Sequence, residues 1–222
     1  FKSLSDFNDR LSRKYNVNVY LKREDLQPIR SFKIRGAAAV ISSLSTNEQM
    51  RGVVCASAGN HAQGVAQTSR ALNIPVDIFI PERTPLQKSQ QINSILTHNS
   101  KNLKPSKIHK VGKSFSETLD SAIEFSKKHN KPFIHPYDDI KVIYGQSTIA
   151  HEIYTDLNKI GKYPNFLLGC VGGGGLLSGL GLYSSLQEHQ HQHENKHKSS
   201  VIGFEPKSCP SMTSAFNNNC PT

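Results

Sequence analysis

Three short clusters in this 222-residue chain combine residue types that could do chemistry. The first is a run of four glycines, Gly172, Gly173, Gly174 and Gly175, which follows an apolar stretch (165–171) and opens a helical one (175–189). Successive glycines let the backbone curl so that several N–H groups face one anion, and the positive end of the following helix dipole reinforces them. That is a phosphate cradle at the carboxyl end of a strand. Seven of the fifteen glycines lie between Gly169 and Gly181, which sets this region apart from the rest of the chain. No Lys-Ser/Thr pair follows, so the run is not a P-loop, and it lacks the GxGxxG spacing of a dinucleotide site. The second cluster is Ser31-Phe32-Lys33-Ile34-Arg35-Gly36-Ala37, a lysine at the start of a helical stretch with Lys22, Arg23, Arg30 and Arg35 close in sequence. A lysine at its free pKa of about 10.4 is a poor nucleophile, and burial or neighbouring cations lower that value and make the amine fit for Schiff-base chemistry. The third is Ala56-Ser57-Ala58-Gly59-Asn60-His61-Ala62-Gln63-Gly64, where a strand ends and a helix begins near Asn60. Small residues at a helix N-terminus suit a carboxylate, and the Asn60 amide can donate to a phenolate-type oxygen.

Each cluster alone has a plainer reading: a flexible linker, a snorkelling surface lysine, or an ordinary strand–turn–helix junction capped by Ser57 or Asn60. Together they describe a site for a phosphorylated aldehyde and an amino acid: a reactive lysine, a carboxylate turn and a phosphate nest, all on strand-to-helix junctions.

The elements that would carry them alternate. Strand candidates are 19–22, 53–57, 76–80, 107–111, 132–135, 165–171 and 201–204, the fourth and fifth being weak. Helical candidates are 32–44, 60–72, 84–96, 114–129, 143–159 and 175–189. Strand, helix, strand at this spacing predicts βαβ units and a parallel sheet. Two polar stretches, 93–107 and 187–200, read as surface loops or frayed helix ends. The second contains His189, His191, His193 and His197, whose alternate spacing is ascribed to composition and not to a metal site; no metal is expected.

Composition excludes several classes. Apolar residues are 36% and the formal net charge is +10, but the cations form no arm or aromatic-interleaved stripe, so no nucleic-acid partner is expected. No apolar run reaches the length of a membrane span, and no membrane partner is expected. Cys55, Cys170, Cys209 and Cys220 show no metal spacing, and Cys55 and Cys170 sit in apolar runs where a thiol is expected to be buried. A reducing compartment, the cytoplasm, is the expected location; the chain begins at Phe1, and a removed organellar leader is the alternative.

The ordered motifs resemble the fold type II pyridoxal-phosphate-dependent enzymes, and within them the threonine deaminase (threonine ammonia-lyase) family. The resemblance runs from Tyr20-Leu-Lys-Arg-Glu-Asp-Leu-Gln-Pro28 through SFKIRGA (31–37), ASAGNHAQG (56–64), TPLQK (84–88), GQSTIAHE (145–152) and VGGGGLLSG (171–179) to IGFEP (202–206). It implies an α/β fold like that of the tryptophan synthase β chain: two lobes, each a mostly parallel sheet flanked by helices, with pyridoxal 5'-phosphate in the cleft between them. The expected division is 1–48 with 142–222 as the larger, phosphate-binding lobe and 49–141 as the smaller one. The resemblance implies that Lys33 holds the cofactor and later takes the Cα proton, and that Phe32 packs near it. Asn60 would donate to the ring oxygen, and Gly172 to Gly175 with Leu176 would bind the phosphate. Ser57, Ala58, Gly59 and His61 would line the substrate carboxylate site. The implied reaction turns threonine into 2-oxobutyrate and ammonia, and serine into pyruvate, in a homodimer or tetramer; the KREDLQ stretch leans toward the biosynthetic branch.

Serine racemase is the relative to weigh against this. That family has a proton-carrying serine where this chain has Ala58, and Ser211 stands where the second carboxylate of a racemase-like metal site would follow Glu205. Ser147 also replaces a usual glycine in the GQGT stretch. The family's catalytic domain continues past the position of Thr222 and there supplies the pyridine-nitrogen partner. A truncated catalytic domain with weak or no turnover, binding ligand only, is the further expectation.

Overall fold

The computed structural model describes residues 2–97, 105–190 and 198–218. They form two compact units, one of Phe1–Gln27 with Gln146–Thr222 and the other Pro28–Gly145. His191, His193, His197, Cys220 and the middle of the 93–107 stretch lie outside the described residues.

The Pro28–Gly145 unit is built on a parallel sheet. Strands β3 (Val53–Ala56), β4 (Val76–Ile80) and β5 (Lys107–Lys110) lie side by side in that order, with Val53 opposite Val76 and Asp77 opposite Lys107. Every residue of β3 and β4 is buried, as their continuous apolar runs require of a parallel sheet covered on both faces. One face takes α2 (Lys33–Ser42), α4 (Asn60–Ala71) and α5 (Leu86–Thr97), which pack Ile41, Val65 and Ile92 against Val53, Cys55 and Ile78. The other face takes α6 (Phe115–Lys128), whose Ala122 and Phe125 meet Val54, Ala56 and Phe79. The short α3 (Thr46–Arg51) starts at a capping box in which Ser45 and Glu48 exchange bonds. The 132–135 stretch joins the sheet through a single parallel bridge, Phe133 to Val54, with the Ile134 N–H donating to the Val54 carbonyl at 2.8 Å. Asp77 is the one carboxylate inside β4, and it accepts from Lys131 at 2.6 Å and bonds His109 at 2.8 Å. Burial pushes its pKa up, but these two bonds outweigh that and hold it below the ordinary value.

The other unit contains an antiparallel pair, β1 (Ser5–Phe7) and β2 (Tyr20–Lys22), with α1 (Asp9–Tyr15) between them in sequence. It also contains a parallel pair, β6 (Phe166–Cys170) and β7 (Ser200–Phe204), most of α7 (Ile140–Asn158), α8 (Gly175–Gln190) and α9 (Ser211–Asn218). The partly buried Lys22 pairs here with Glu152 at 2.8 Å, with Asp156 at 3.7 Å. Helix α8 covers one face of the β6–β7 pair. It comes so close that a Cβ on Gly203 would lie 2.2 Å from a Leu177 methyl, and one on Gly169 3.0 Å from another. The opposite face presents Phe166, Leu168 and Cys170 of β6 with Ile202 and Phe204 of β7, all exposed. Cys55 is buried as expected, but Cys170 is not: strand alternation puts it on the face that α8 leaves open. Among the described residues no helix is long and apolar enough to cross a membrane.

Helix α8 meets α7 at Gly179, where an added Cβ would lie 2.7 Å from the Ser147 nitrogen and 2.8 Å from Gln146. Gly179→Ala is therefore expected to cost about 1–3 kcal/mol through overpacking. Gly181→Ala, two residues on with nothing within 4 Å of its added methyl, should gain about 0.5–1 kcal/mol. Urea melts of the two variants check the contrast, and equal shifts would refute it.

Candidate active site

Lys33 is the first residue of α2, and its position depends on a glycine one helix away. Helices α2 and α4 pack together. At Gly64 of α4 an added Cβ would stand 3.2 Å from the Ile34 Cα, 3.3 Å from the Ile34 nitrogen and 3.3 Å from the Lys33 carbonyl carbon. The absence of a side chain at Gly64 thus sets how closely the first turn of α2 sits on α4. On the other side of α2, a Cβ on Gly145 would lie 2.6 Å from the Arg35 carbonyl oxygen and 2.7 Å from Gly36.

The Lys33 side chain is half-buried. Its ammonium donates to the Pro136 carbonyl at 2.7 Å and lies 5.5 Å from the centre of the Phe32 ring and 5.8 Å from that of Tyr137. Burial lowers its pKa from the ordinary value of 10.5. The cations adjacent in sequence are not the cause: Lys22 is tied to Glu152, and Arg23 to Asp25 at 2.7 Å.

The 56–64 turn follows β3 directly. The Ser57 N–H donates to the Phe79 carbonyl, which fixes the strand end, and the Ser57 hydroxyl accepts from the Gly59 N–H at 3.1 Å. The N-cap of α4 is Gly59, with no side-chain cap, so neither Ser57 nor Asn60 blocks the first-turn N–H groups. Asn60 is exposed at the first helical position, and its amide has no protein partner among the described residues. Ala58 is partly buried against the core, where its methyl has no proton to give. His61 turns inward. It is buried and bonds the Ile134 carbonyl through Nε2 at 2.8 Å, so that nitrogen carries the proton. Burial, with smaller contributions from Lys33 and His135, pushes its pKa down to about 4 against the favourable pull of that carbonyl.

The glycine run belongs to the other unit. Val171 closes β6 by donating to the Phe204 carbonyl at 2.9 Å, Gly172 to Gly174 form a bend, and α8 starts at Gly175 with Leu176 in its first turn. Gly174 has φ +84°, a left-handed conformation that favours glycine, and a Cβ there would lie 3.3 Å from Met212. Gly172 faces open space, with nothing within 4 Å of an added Cβ. Glu205 accepts from the N–H groups of Met212 and Thr213 at 3.1 and 2.6 Å, which holds its pKa down. Its carboxylate serves the first turn of α9.

Within the Pro28–Gly145 unit, then, the structure brings Phe32, Lys33 and the 57–61 turn onto two helices in contact. The residues that sequence reasoning missed are Ile134, His135, Pro136 and Tyr137. Two of them act through backbone carbonyls, which no residue-type pattern reveals. Within the Pro28–Gly145 unit, an amine with a lowered pKa and an uncapped helix start beside an unengaged amide fit the aldehyde and ring oxygen of pyridoxal phosphate. Within the other unit, taken by itself, the open glycine bend before α8 fits a phosphate.

A half-buried amine also marks stability with pH. With the folded-state pKa below the unfolded 10.5, the folded protein binds fewer protons between those values. The penalty is complete below the lowered value and disappears as pH rises past 10.5. Lys33→Met in the cofactor-free protein is therefore expected to raise Tm at neutral pH, by an amount that shrinks toward alkaline pH. A gain that grew with pH would contradict the assignment.

Comparison with known proteins places the chain in a family. Residues 8–222 match the family model described as "Pyridoxal-phosphate dependent enzyme". The biosynthetic L-threonine dehydratase of Staphylococcus epidermidis is 43% identical over 206 residues, 93% of this chain and 46% of that protein. The processed threonine deaminase isoform 2 of Solanum lycopersicum superposes with a TM-score of 0.85 at 35% identity, covering 100% of this chain and 55% of that one. A serine racemase from Dictyostelium discoideum superposes at 0.83 with 25% identity, covering 99% of this chain and 65% of that one. The chain spans about half the length of the threonine dehydratase and deaminase it matches. The lysine on α2, the turn into α4 and the glycine bend into α8 thus sit in a chain that belongs to the pyridoxal-phosphate-dependent enzyme family.

Proposed function

We propose that the chain forms part of a deaminase that converts L-threonine to 2-oxobutyrate and ammonia, and L-serine more slowly to pyruvate and ammonia. The observation that carries the reading is Lys33: a half-buried amine of lowered pKa, held at the start of α2 by the Gly64 contact. The choice of substrate is supported by the identity with biosynthetic threonine dehydratase.

In this reading Lys33 binds the cofactor through its amine and, once released, takes the proton from the substrate Cα. Its lowered pKa leaves more of the amine neutral at working pH, as a base requires. Phe32 packs near the cofactor, and Asn60 donates its amide to the ring oxygen. Gly172, Gly173, Gly174 and Gly175 with Leu176 offer N–H groups and a helix dipole to the phosphate. Ser57, Ala58, Gly59 and the backbone N–H of His61 line the carboxylate site, where the uncapped start of α4 supplies the positive potential while the His61 ring faces the core. When bound, pyridoxal phosphate supplies the electron sink that makes the Cα proton acidic and lets the β-hydroxyl leave. Ala58 offers no second acid for returning a proton from the opposite face, which favours elimination over inversion. The cytoplasm and a homo-oligomeric state complete the reading.

The test is direct. With added pyridoxal phosphate the purified whole deaminase that contains this chain should turn yellow, borohydride should fix the cofactor on Lys33, and threonine should yield 2-oxobutyrate, detected as its hydrazone. Lys33→Ala should lower turnover by about 10³-fold or more, the scale of losing a positioned base and a covalent anchor. Serine should give pyruvate. Its conversion to D-serine with no oxo acid would replace this reading with the racemase one, and a protein that stays colourless would remove both.

A further inference from the structure

The Lys33 amine rests on a backbone carbonyl, and that carbonyl is held from both sides. Upstream, Ile134 is anchored twice: its N–H donates to Val54 at 2.8 Å, and its carbonyl accepts from the buried His61 ring at 2.8 Å. The next residue, His135, folds back on its own chain, with Nδ1 accepting from the N–H groups of Tyr137 and Asp138 at 3.3 and 2.7 Å. Pro136 sits inside that turn with its φ fixed by the ring. Its carbonyl meets the Lys33 ammonium at 2.7 Å, between the Phe32 and Tyr137 rings.

We propose that the Pro136 carbonyl is the parking site for the Lys33 amine whenever it is not covalently engaged, and that His135 and His61 are positioning residues that present this carbonyl. The inference rests on the reading of Lys33 as the cofactor lysine. A base must be released, stay close and return, and a long flexible side chain without an acceptor would instead swing into solvent, losing the advantage of proximity. A neutral carbonyl suits the task. It accepts from the amine in either protonation state and, unlike a carboxylate, does not lock it as an ammonium. His61 on α4 and His135 in the turn are the titratable groups on which the Lys33 charge acts, and Asp138 and Asp139 act on His135. Burial lowers the pKa of both histidines, so neither adds a cation beside the amine at neutral pH.

The test compares His135→Ala with His135→Asn. Alanine removes the acceptor that closes the turn, whereas an asparagine oxygen can accept from the same two N–H groups as an Asx turn. Reductive methylation of the cofactor-free protein with formaldehyde, read by mass spectrometry across pH, separates each lysine's pKa from its limiting rate. In the parent protein the limiting rate at Lys33 should fall about tenfold below that of the exposed Lys113, consistent with protection by burial and the carbonyl bond. His135→Ala should raise it about fivefold or more and His135→Asn return it to within about twofold, with Lys113 and Tm unchanged, on the scale of a lost hydrogen bond. If His135→Ala does not fold, His61→Leu against His61→Gln, which keeps a donor for Ile134, gives the same contrast. An unchanged Lys33 rate in the alanine or leucine variant, or no rescue by asparagine or glutamine, overturns the proposal. A second readout is the rate of pyridoxal phosphate capture, which should slow in His135→Ala and recover in His135→Asn. Methylation that responds as expected in a protein that captures no pyridoxal phosphate leaves the parking site standing and removes the cofactor reading. Normal capture with unresponsive methylation does the reverse.

Discussion

The close approach of α4 to the first turn of α2 is the constraint on which the lysine site depends. Gly64 lets the two helices come near enough that an added methyl would stand 3.2–3.3 Å from the Lys33–Ile34 backbone. Everything that gives Lys33 its chemistry follows from that distance. It seats Ile34 fully in the interior, and it leaves the lysine side chain between Phe32 and Tyr137, where burial lowers its pKa. The same helix brings His61 to Ile134, two residues before the carbonyl on which the amine rests. One glycine therefore sets both the location of the amine and part of the frame that holds it.

The parallel sheet explains why the other functional groups are backbone groups at helix starts. A strand buried on both faces has no side chains to spare for a ligand, so chemistry collects where the chain leaves the sheet and a helix begins. This happens after β3 at 57–61, where Gly59 precedes α4 and no side chain caps it, and after β6 at 172–175, where α8 begins at Gly175. By contrast, Asn8 for α1, Ser45 for α3 and Ser114 for α6 each accept from a first-turn N–H, whereas α2, like α4, starts without a side-chain cap.

Much of this was legible in the sequence because a parallel sheet writes its strands as continuous apolar runs. The stretches 53–57, 76–80, 107–111, 165–171 and 201–204 all contain strands of the structure, and the six helical stretches correspond to α2 and α4 to α8. The elements not foreseen are short: β1, α1, α3 and α9, between three and eight residues each. Of these, α3 carried a readable signal in Ser45-x-x-Glu48, whereas β1 is a three-residue strand whose pairing with β2 spans the intervening helix α1. The 132–135 stretch became a single bridge, because beyond Ile134 the chain turns on His135 and not on the ladder. At the site, residue types pointed to Lys33, Asn60 and the glycines, but the acceptor for Lys33 is a carbonyl, and every residue has one. The inward turn of His61 was equally hidden, since a histidine beside a carboxylate turn reads the same whether it faces the ligand or the core.

The formal charge of +10 carries little of this electrostatics. Several cations are engaged with carboxylates: Lys22 with Glu152, Arg23 with Asp25, Lys131 with Asp77. A surface cation is also screened within about 10 Å at ordinary ionic strength, and its long side chain must be ordered before it can hold an anion. Backbone N–H groups at a helix start are already ordered by folding, and the dipole behind them is oriented at no further entropic cost. An anion held at the start of α4, which packs on α2, would leave Lys33 free of the duty of holding it. For Lys33 this matters most: pairing with an anion would raise the pKa of the amine, whereas in its half-buried niche on a neutral carbonyl burial lowers it.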